Sequence, residues 1–340
     1  SFAAMIDFGM GPVPAAGESD VFVASLTSAG AFRWSRTFGG DGPDAAFAVT
    51  VDAQGPYVAG TVRGRVDFGG GPTTGSPSAE AFVAALDTEG LLRWARRFGP
   101  VSPRVGSASA YGIAAAPDGA LALVGFFQGA IDVGADVLVS AGNYDLFVTS
   151  LSPVGAPRWA RRVGAASVDW AQAVAVDAAG NLFLTGYYQG VVDFGGGALT
   201  APTGTDGFVA SYTAGGGHRW SRRFGGATGV FGTATGYGVD VDPAGNVVVG
   251  GLFGGNVDFG NGLRTSAGLG DMFLASYTST GTPRWSRRVG GRGEDAVRGV
   301  AVDGRAAVYA VGAFDDTVDF GFGTVASAGE GDGFVYQFLQ

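Results

Sequence analysis

The residues best suited to chemistry in this sequence are arginines and tryptophans that recur together in one short phrase. The phrase reads RWxR or RWxRR, and its five copies lie at Arg33–Arg36, Arg93–Arg97, Arg158–Arg162, Arg219–Arg223 and Arg284–Arg288. Guanidinium groups beside indole rings could bind anions or stack on sugars. The alternative is structural, because residues that recur at a fixed period usually build the repeated unit itself.

Acidic residues recur in step with these phrases and offer the arginines partners. They precede six similar apolar runs, at Asp20, Glu80, Asp145, Asp206, Asp271 and Asp332. An unpaired buried arginine is costly, whereas a carboxylate accepts two parallel hydrogen bonds from it. We therefore predict a structural lattice of these acids with Trp34, Trp94, Trp159, Trp220, Trp285, Arg36, Arg96, Arg161, Arg222 and Arg287.

A second acidic motif, usually Asp-Phe-Gly, recurs with its acid at Asp7, Asp67, Asp132, Asp193, Asp258 and Asp319. Carboxylates beside glycine turns suit Ca²⁺, but each motif supplies one acid, fewer than a calcium loop needs. The structural interpretation is that Asp caps the turn while Phe (Val133 in one copy) packs between sheets. The acidic turns Asp41–Asp44 and Glu294–Asp295 have the same two interpretations. We expect no metal or other cofactor, with Ca²⁺ as the alternative.

The sequence offers little for catalysis. It has no cysteine and one histidine, His218, which follows a glycine-rich turn, a poor place for an oriented general base. Thiol nucleophiles and zinc sites are thereby excluded. Paired carboxylates could still hydrolyse glycosides, but the acids recur symmetrically and form no distinctive pair. We predict no catalytic residue.

Composition limits the classes of partner. The net charge is −9 and there is no lysine, so the surface repels phosphate backbones and we expect no nucleic-acid binding. No apolar run reaches the length of about 18 residues that a membrane span requires. Membrane insertion is therefore not expected.

The elements that must position these residues are short β-strands. One unit runs as Tyr237–Asp242, Asn246–Phe253, a glycine-centred excursion, Met272–Tyr277 and finally Pro283–Val289. Each run is rich in β-branched or aromatic residues, and no helical period of apolar residues occurs. Four antiparallel strands in a unit of about 60 residues are typical of a propeller blade. We predict an all-β fold: a single β-propeller domain over residues 1–340.

Counting the copies predicts five blades of four antiparallel strands. First strands are expected at Phe47–Asp52, Tyr111–Ala116, Ala173–Asp177, Tyr237–Asp242 and Arg298–Asp303. Pairing of N- and C-terminal strands would close the ring, with Val21–Leu26 completing the blade begun by Val300–Phe314. Phe334–Gln340 is then surplus, and its residues Phe334, Val335 and Phe338 become candidates for self-association or a protein partner.

The copies differ most in the connections Pro100–Ala110 and Ala227–Thr235, which are longer and lack acids. Loops at the ends of a propeller usually carry its ligands. The aromatic residues Tyr111, Trp170, Phe231 and Tyr237 lie in or beside connections of this kind and are candidate binding residues. Packing at the start of a strand is the alternative role for them.

Two stretches, Ala173–Tyr188 and Asp206–Val209, resemble the bacterial β-propeller repeats called SBBP repeats, with matching segments at Val239–Gly251, Gly299–Gly312, Asp145–Val148 and Asp332–Val335. The resemblance implies a secreted or cell-surface bacterial propeller and no defined reaction. RWxRR and the recurring Asp-Phe-Gly motif depart from that pattern. We expect a non-catalytic binding or assembly scaffold; the alternatives are a lectin-like binder of glycans with repeated sites and a glycosidase-like enzyme.

Overall fold

The computed structural model describes residues 1–9, 11–101, 106–227 and 229–338, and the chain divides into two compact units, Ser1–Arg162 and Val163–Gln340. The fold is all-β. Because the described segments hold no helix, they also hold none long and apolar enough to span a membrane. The prediction of one continuous domain stays a prediction, and each unit is described by itself.

The strands of the first unit are β1 (Met5–Asp7), β2 (Pro12–Pro14), β3 (Val21–Leu26), β4 (Phe32–Gly40), β5 (Ala45–Asp52), β6 (Gly55–Val62), β7 (Val66–Asp67), β8 (Pro72–Thr73), β9 (Glu80–Leu86), β10 (Leu92–Pro100), β11 (Gly106–Ala115), β12 (Leu121–Asp132), β13 (Val137–Val139), β14 (Asp145–Leu151) and β15 (Pro157–Val163). The first repeat sheet has the order β5-β6-β9-β10, and the second repeat sheet contains β11, β12, β14 and β15. Strands β3 and β4 form an antiparallel pair at the N-terminus.

The strands of the second unit are β16 (Asp169–Val176), β17 (Leu182–Asp193), β18 (Ala198–Tyr212), β19 (His218–Phe224), β20 (Gly232–Val241), β21 (Val247–Asp258), β22 (Leu263–Thr265), β23 (Asp271–Tyr277), β24 (Pro283–Val289), β25 (Ala296–Val302), β26 (Val308–Phe314), β27 (Thr317–Asp319), β28 (Thr324–Ala326) and β29 (Asp332–Phe338). The third repeat sheet is β16-β17-β18-β19, the fourth is β20-β21-β23-β24 and the fifth is β25-β26-β29.

Several hairpin turns are fixed by a side chain at their first residue. At the β20–β21 turn, Asp242 accepts hydrogen bonds from the N–H groups of Ala244 (2.9 Å) and Asn246 (2.7 Å). Gly245 has a φ of +81°, which a side chain would strain. Short turns of this kind join neighbouring antiparallel strands.

Every first strand carries one extra residue. Its pairing with the second strand skips one position in each repeat sheet: Phe47, Tyr111, Gln172, Tyr237 and Arg298. A bulge of this kind reverses the alternation of side chains. The strands therefore begin before the starts that we predicted, at Ala45, Gly106, Asp169, Gly232 and Ala296. At the bulge, the positions that face one side of the sheet shift by one residue, and in the sequence this shift looks like the end of a strand.

The Asp-Phe-Gly excursions connect neighbouring sheets. Strand β7 pairs with the end of β4, and the end of β12 pairs with the end of β10. The ring of Phe68 lies 6.1 Å from that of Phe38 on β4 and 5.4 Å from that of Phe82 on β9. In the second unit, Phe259 lies between Phe224 and Phe273 in the same way. The phenylalanine thus fills the core between two sheets.

The C-terminal strand occupies a place that we predicted for another segment. Strand β29 pairs with β26 along its length, with Val308 opposite Phe338. The prediction that Phe334–Gln340 is a surplus strand is wrong. Strand β29 lies much nearer to β26 along the chain than β3 does, so its pairing with β26 closes a shorter loop. Phe334 and Phe338 pack against the core of the fifth sheet, whereas Val335 is 80% exposed. Leu339 and Gln340 lie outside the described residues.

Candidate functional site

A cleft in the first unit combines aromatic and polar side chains. It has a volume of about 760 Å³ and lies against the first and second repeat sheets. We call it the Arg63 cleft; it is lined by Arg63, Ser78, Ala79, Gly106, Ser107, Ser109, Phe126, Gln128, Gly129, Ser140, Gly142 and Tyr144. Volumes between about 300 and 1,000 Å³ are usual for small-molecule sites.

The β11–β12 hairpin positions most of the cleft. Ser107 lies directly opposite Gln128, and Ser109 lies directly opposite Phe126. Residues two apart on a strand share a face, so all four side chains belong to the same side of the hairpin. Alternation ends at Tyr111, where the bulge lies.

Aromatic rings form a continuous row beside these polar groups. Phe47 stacks on Tyr111 at 4.3 Å, with their planes 10° apart. Tyr111 lies 5.5 Å from Phe126, and Tyr144 meets Phe126 edge to face at 5.3 Å. Such contacts hold each ring in one orientation. The cleft therefore has a rigid aromatic wall.

The polar groups of the cleft differ in their availability. The Ser140 hydroxyl accepts a hydrogen bond from the Gly129 N–H at 2.9 Å and is engaged by the backbone. Within the described ranges, no hydrogen-bond partner is found for the side chains of Arg63, Ser107 or Gln128. These three can donate to a ligand.

Among the described residues that line the cleft, Arg63 is the charged one. Its backbone N–H donates to Asp44 Oδ1 at 2.9 Å, which fixes the chain, while its side chain is exposed. Asp44 is fully buried, and this burial raises the pKa of its carboxyl against the opposing hydrogen bonds from Arg63 and Gly40 N–H. The described lining residues include no carboxylate.

The counterpart positions in the second unit follow from the same strand register. Around the third and fourth repeat sheets they are Gln189 for Arg63, Thr233 for Ser107, Thr235 for Ser109, Leu252 for Phe126, Gly254 for Gln128 and Gly270 for Tyr144. A Cβ added to Gly270 would lie 2.7 Å from the Leu252 Cδ1 atom. Gln189 donates to the Thr205 hydroxyl at 3.2 Å. These positions retain neither the aromatic wall nor the arginine.

The recurring acids form ion pairs with arginines one position beyond those we predicted. Arg97 lies 2.6 Å from Glu80, Arg162 lies 2.8 Å from Asp145, and Arg288 lies 2.6 Å from Asp271. Arg223 pairs with Asp206 in the same way. Arg97, Arg223 and Arg288 each lie opposite the residue two after the acid, on the acid's face of the sheet. Asp20 and Asp332 instead accept N–H bonds from Ala16 and Ala328.

The preceding arginines and the tryptophans contact the following repeat. Trp94 Nε1 donates to the Pro153 carbonyl at 3.1 Å, and Arg96 Nε donates to the Gly155 carbonyl at 3.2 Å. In the second unit, Arg222 donates to the carbonyl of Gly281, whose added Cβ would lie 2.5 Å from Trp220. Other members of the predicted lattice also have partners. Trp34 and Arg36 donate to the carbonyls of Thr88 and Glu89, and Trp285 and Arg287 lie against the ring of Phe338. The carbonyl of Trp159 accepts a hydrogen bond from the Thr149 hydroxyl. For Arg161 the described contacts give no specific partner.

The acidic turns are engaged by their own backbone. Asp67 Oδ1 accepts from Gly69 (2.7 Å) and Gly71 (3.0 Å), and Asp193 does the same with Gly195 and Gly197. Asp295 accepts from Gly291 at 2.7 Å, which closes the turn at Glu294–Asp295. Within the described ranges, no three His, Cys, Asp or Glu side chains come together as a group that could hold a metal ion.

The four aromatic residues proposed from the sequence do not form one site. Tyr111 packs on Phe126 behind the Arg63 cleft and is not one of its lining residues. Trp170 lies 5.6 Å from Tyr187, and Tyr237 lies beneath Arg298 at 4.5 Å. Phe231 is 65% exposed beside Gly255. His218 covers Gly196 and lies 3.4 Å from the Ser221 hydroxyl.

Sequence reasoning missed Arg63, Phe126, Gln128 and Tyr144. The signal was present at aligned positions, since the second strands read YVAGTVR, LALVGFFQ and VVVGGLFG at the first, second and fourth repeats. These residues are recognisable because they differ between repeats at aligned positions, and they are missed when only recurring residues are considered.

No family model and no curated protein matches the chain. Among solved structures, a protein of unknown function from Bacteroides caccae is similar to it with 10% identity and a TM-score of 0.36 over 72% of this chain and 69% of that one. A likeness this weak supports no conclusion about fold or function, and the resemblance to SBBP repeats stays a prediction.

Proposed function

We propose that this chain is a non-catalytic β-propeller that binds a ligand in the Arg63 cleft. The observation that carries the proposal is the local divergence of the repeats. The second repeat has Phe126, Gln128 and Tyr144 where the fourth has Leu252, Gly254 and Gly270, and the first has Arg63 where the third has Gln189. These four residues converge on one cavity. Divergence on a repeated scaffold is the expected mark of a binding site, because the scaffold itself needs the residues that recur.

The use of the acids favours binding over hydrolysis. A glycosidase needs two free carboxyl groups that face one cavity. Here the lining residues that the structure describes include no carboxyl group, and the buried acids Glu80 and Asp145 are paired with arginines. Turnover of polysaccharides that disappears on replacement of one acid would support the enzyme alternative.

We further propose that the repeats form a closed ring of five blades. Support comes from the two end strands. Interior third strands such as β9 and β23 are buried throughout, whereas β29 alternates between partly buried and exposed residues, and Phe322 beside it is 88% exposed. In the other repeat sheets, a strand with the RWxR phrase pairs with the third strand, and in the fifth sheet the corresponding edge of β29 has no such neighbour among the described pairings. Strand β4 is the proposed occupant, from the same chain or from a second copy.

The absence of cysteine makes this closure testable. Arg33→Cys on β4 combined with Gln337→Cys on β29 introduces two thiols into a cysteine-free chain. A short bis-maleimide should then give an internally linked monomer for a closed ring, or covalent dimers for association of two copies. Linkage at the rate of a control pair, Arg33→Cys with Leu269→Cys, would contradict both.

The proposed role is that of an exported binding or assembly scaffold, with the location resting on composition and on the SBBP resemblance. The binding part is tested by presenting the immobilised chain to panels of glycans and proteins. Phe126→Leu combined with Gln128→Gly gives the cleft its counterpart residues and should abolish capture. Leu269→Ser, an exposed position in the second unit, is the matched control. Capture that is equal in all three proteins would refute the cleft as the binding site.

A further inference from the structure

We infer that the ligand of the Arg63 cleft is an acidic saccharide, bound once per chain. This inference rests on the proposed binding function and adds the chemical class of the ligand. It depends on three features of the cleft: its aromatic wall, its unengaged hydrogen-bond donors and its single positive charge.

The aromatic wall provides a surface for a pyranose ring. Phe126 and Tyr144 meet edge to face at 5.3 Å, and both side chains are partly buried, so each ring is held while part of it stays accessible. The C–H face of a sugar packs on such rings as other apolar groups do. The cavity of about 760 Å³ has room for more than one sugar ring.

The polar groups suit the rim of that sugar. Gln128 provides an amide that can both donate and accept, and Ser107 on the opposite strand provides a hydroxyl. Sugar hydroxyls also donate and accept, so the two sets are complementary. A purely apolar ligand would leave these groups without partners.

Arg63 adds a preference for an anion. The protein as a whole carries a net charge of −9, which repels anions, yet the part of the cleft lining that the structure describes has one guanidinium and no carboxylate. A guanidinium binds carboxylate or sulfate groups through two parallel hydrogen bonds. The geometry therefore favours a uronic acid or a sulfated sugar over a neutral one.

The site is unlike a lectin array with one site per blade. Around the third and fourth repeat sheets, Gln189 removes the charge, Leu252 and Gly270 remove the aromatic face, and Gly254 removes the amide. The third sheet keeps Tyr187 and Gln189 at the positions of Phe126 and Gln128, but Trp170 takes the position of Ser109 and lies against Tyr187. One ligand per chain is the expected stoichiometry.

Calorimetric titration with three probes tests the inference: tetragalacturonate, a sulfated carrageenan tetrasaccharide and neutral cellotetraose. We expect one acidic probe to bind once per chain and at least about tenfold more tightly than cellotetraose, the effect of one charge-assisted hydrogen bond. Arg63→Gln should remove this preference, whereas Arg65→Gln, the same change of charge two residues away and outside the cleft lining, should keep it. Thermal melting confirms that both variants are folded.

The outcomes separate the two claims. If neither acidic probe binds, or if cellotetraose binds equally and Arg63→Gln changes nothing, the inference is refuted. The proposed function survives that result if another ligand is captured and Phe126→Leu with Gln128→Gly abolishes its capture. Five sites per chain would refute the single-site claim and support the repeated-lectin alternative.

Discussion

In the first unit, Phe126 and Tyr144 meet edge to face and border an open cleft. In the fourth repeat sheet the counterpart of Phe126 is Leu252, whose side chain lies over the glycine that replaces Tyr144. The hairpins around these residues have the same register and the same bulge. Two regions with one backbone thus differ in the chemistry that they present. The comparison shows how a repeat protein can acquire a site without changing its fold.

The shared scaffold should respond equally in both units. Arg97→Ala in the first and Arg223→Ala in the second each leave a buried carboxylate without its cation, and we expect a loss of about 3–5 kcal/mol in unfolding free energy for each. Chemical denaturation measures this loss. Arg65→Ala, which has no described ion pair, is the control. A large difference between the two variants would contradict the idea of a common scaffold.

Filling the cleft should abolish binding. Trp170 of the third repeat sheet occupies the position that corresponds to Ser109, and its ring lies against Tyr187. Ser109→Trp introduces the same residue type into the cleft. The indole should occupy the space beside Phe126, and we expect ligand affinity to fall by about 100-fold or more as the cavity is lost. Calorimetry measures the affinity. Thr235→Trp, at the counterpart position of the second unit, should leave binding intact, and a loss there would show that the cleft is not the site.

Removing one ring should have a smaller effect. Tyr144→Ala deletes the edge-to-face partner of Phe126, and we expect the loss of about 1–2 kcal/mol of binding free energy, since one aromatic contact disappears. Titration with the ligand measures the change. Tyr187→Ala in the second unit is the matched control. Unchanged affinity for Tyr144→Ala would exclude the aromatic wall from ligand contact.

The mildest effect concerns pH. Burial raises the pKa of the Asp206 and Asp271 carboxyls above the usual value of 3.8, against the opposing effect of their arginines. At pH values between 3.8 and the raised pKa, the native state then binds more protons than the unfolded state. The free energy of unfolding should therefore fall as the pH rises through that window. We expect a higher Tm just above pH 3.8 than at pH 7. Asp206→Asn should reduce this slope, and a slope of opposite sign would contradict the assignment.

Much of the fold was predictable because its signals recur. The spacing of the RWxR phrases gave the repeat, and alternating β-branched residues gave the strands. The arginine partners were predicted one residue too early, since pairing depends on which residues lie opposite each other across strands. The register of β9 and β10 skips a residue between Leu92 and Trp94, and no pattern in the phrase shows this.

The sequence by itself determined the all-β class, the period of the repeats and the role of Asp as a turn cap, because these depend on residues close together along the chain. Only the tertiary structure decided that Asp332–Phe338 pairs with β26 and that Arg63 and Tyr144 border one cleft. Those groups are distant in sequence, and their meeting depends on how sheets pack. Packing is a property of the assembled strands, which no single segment encodes.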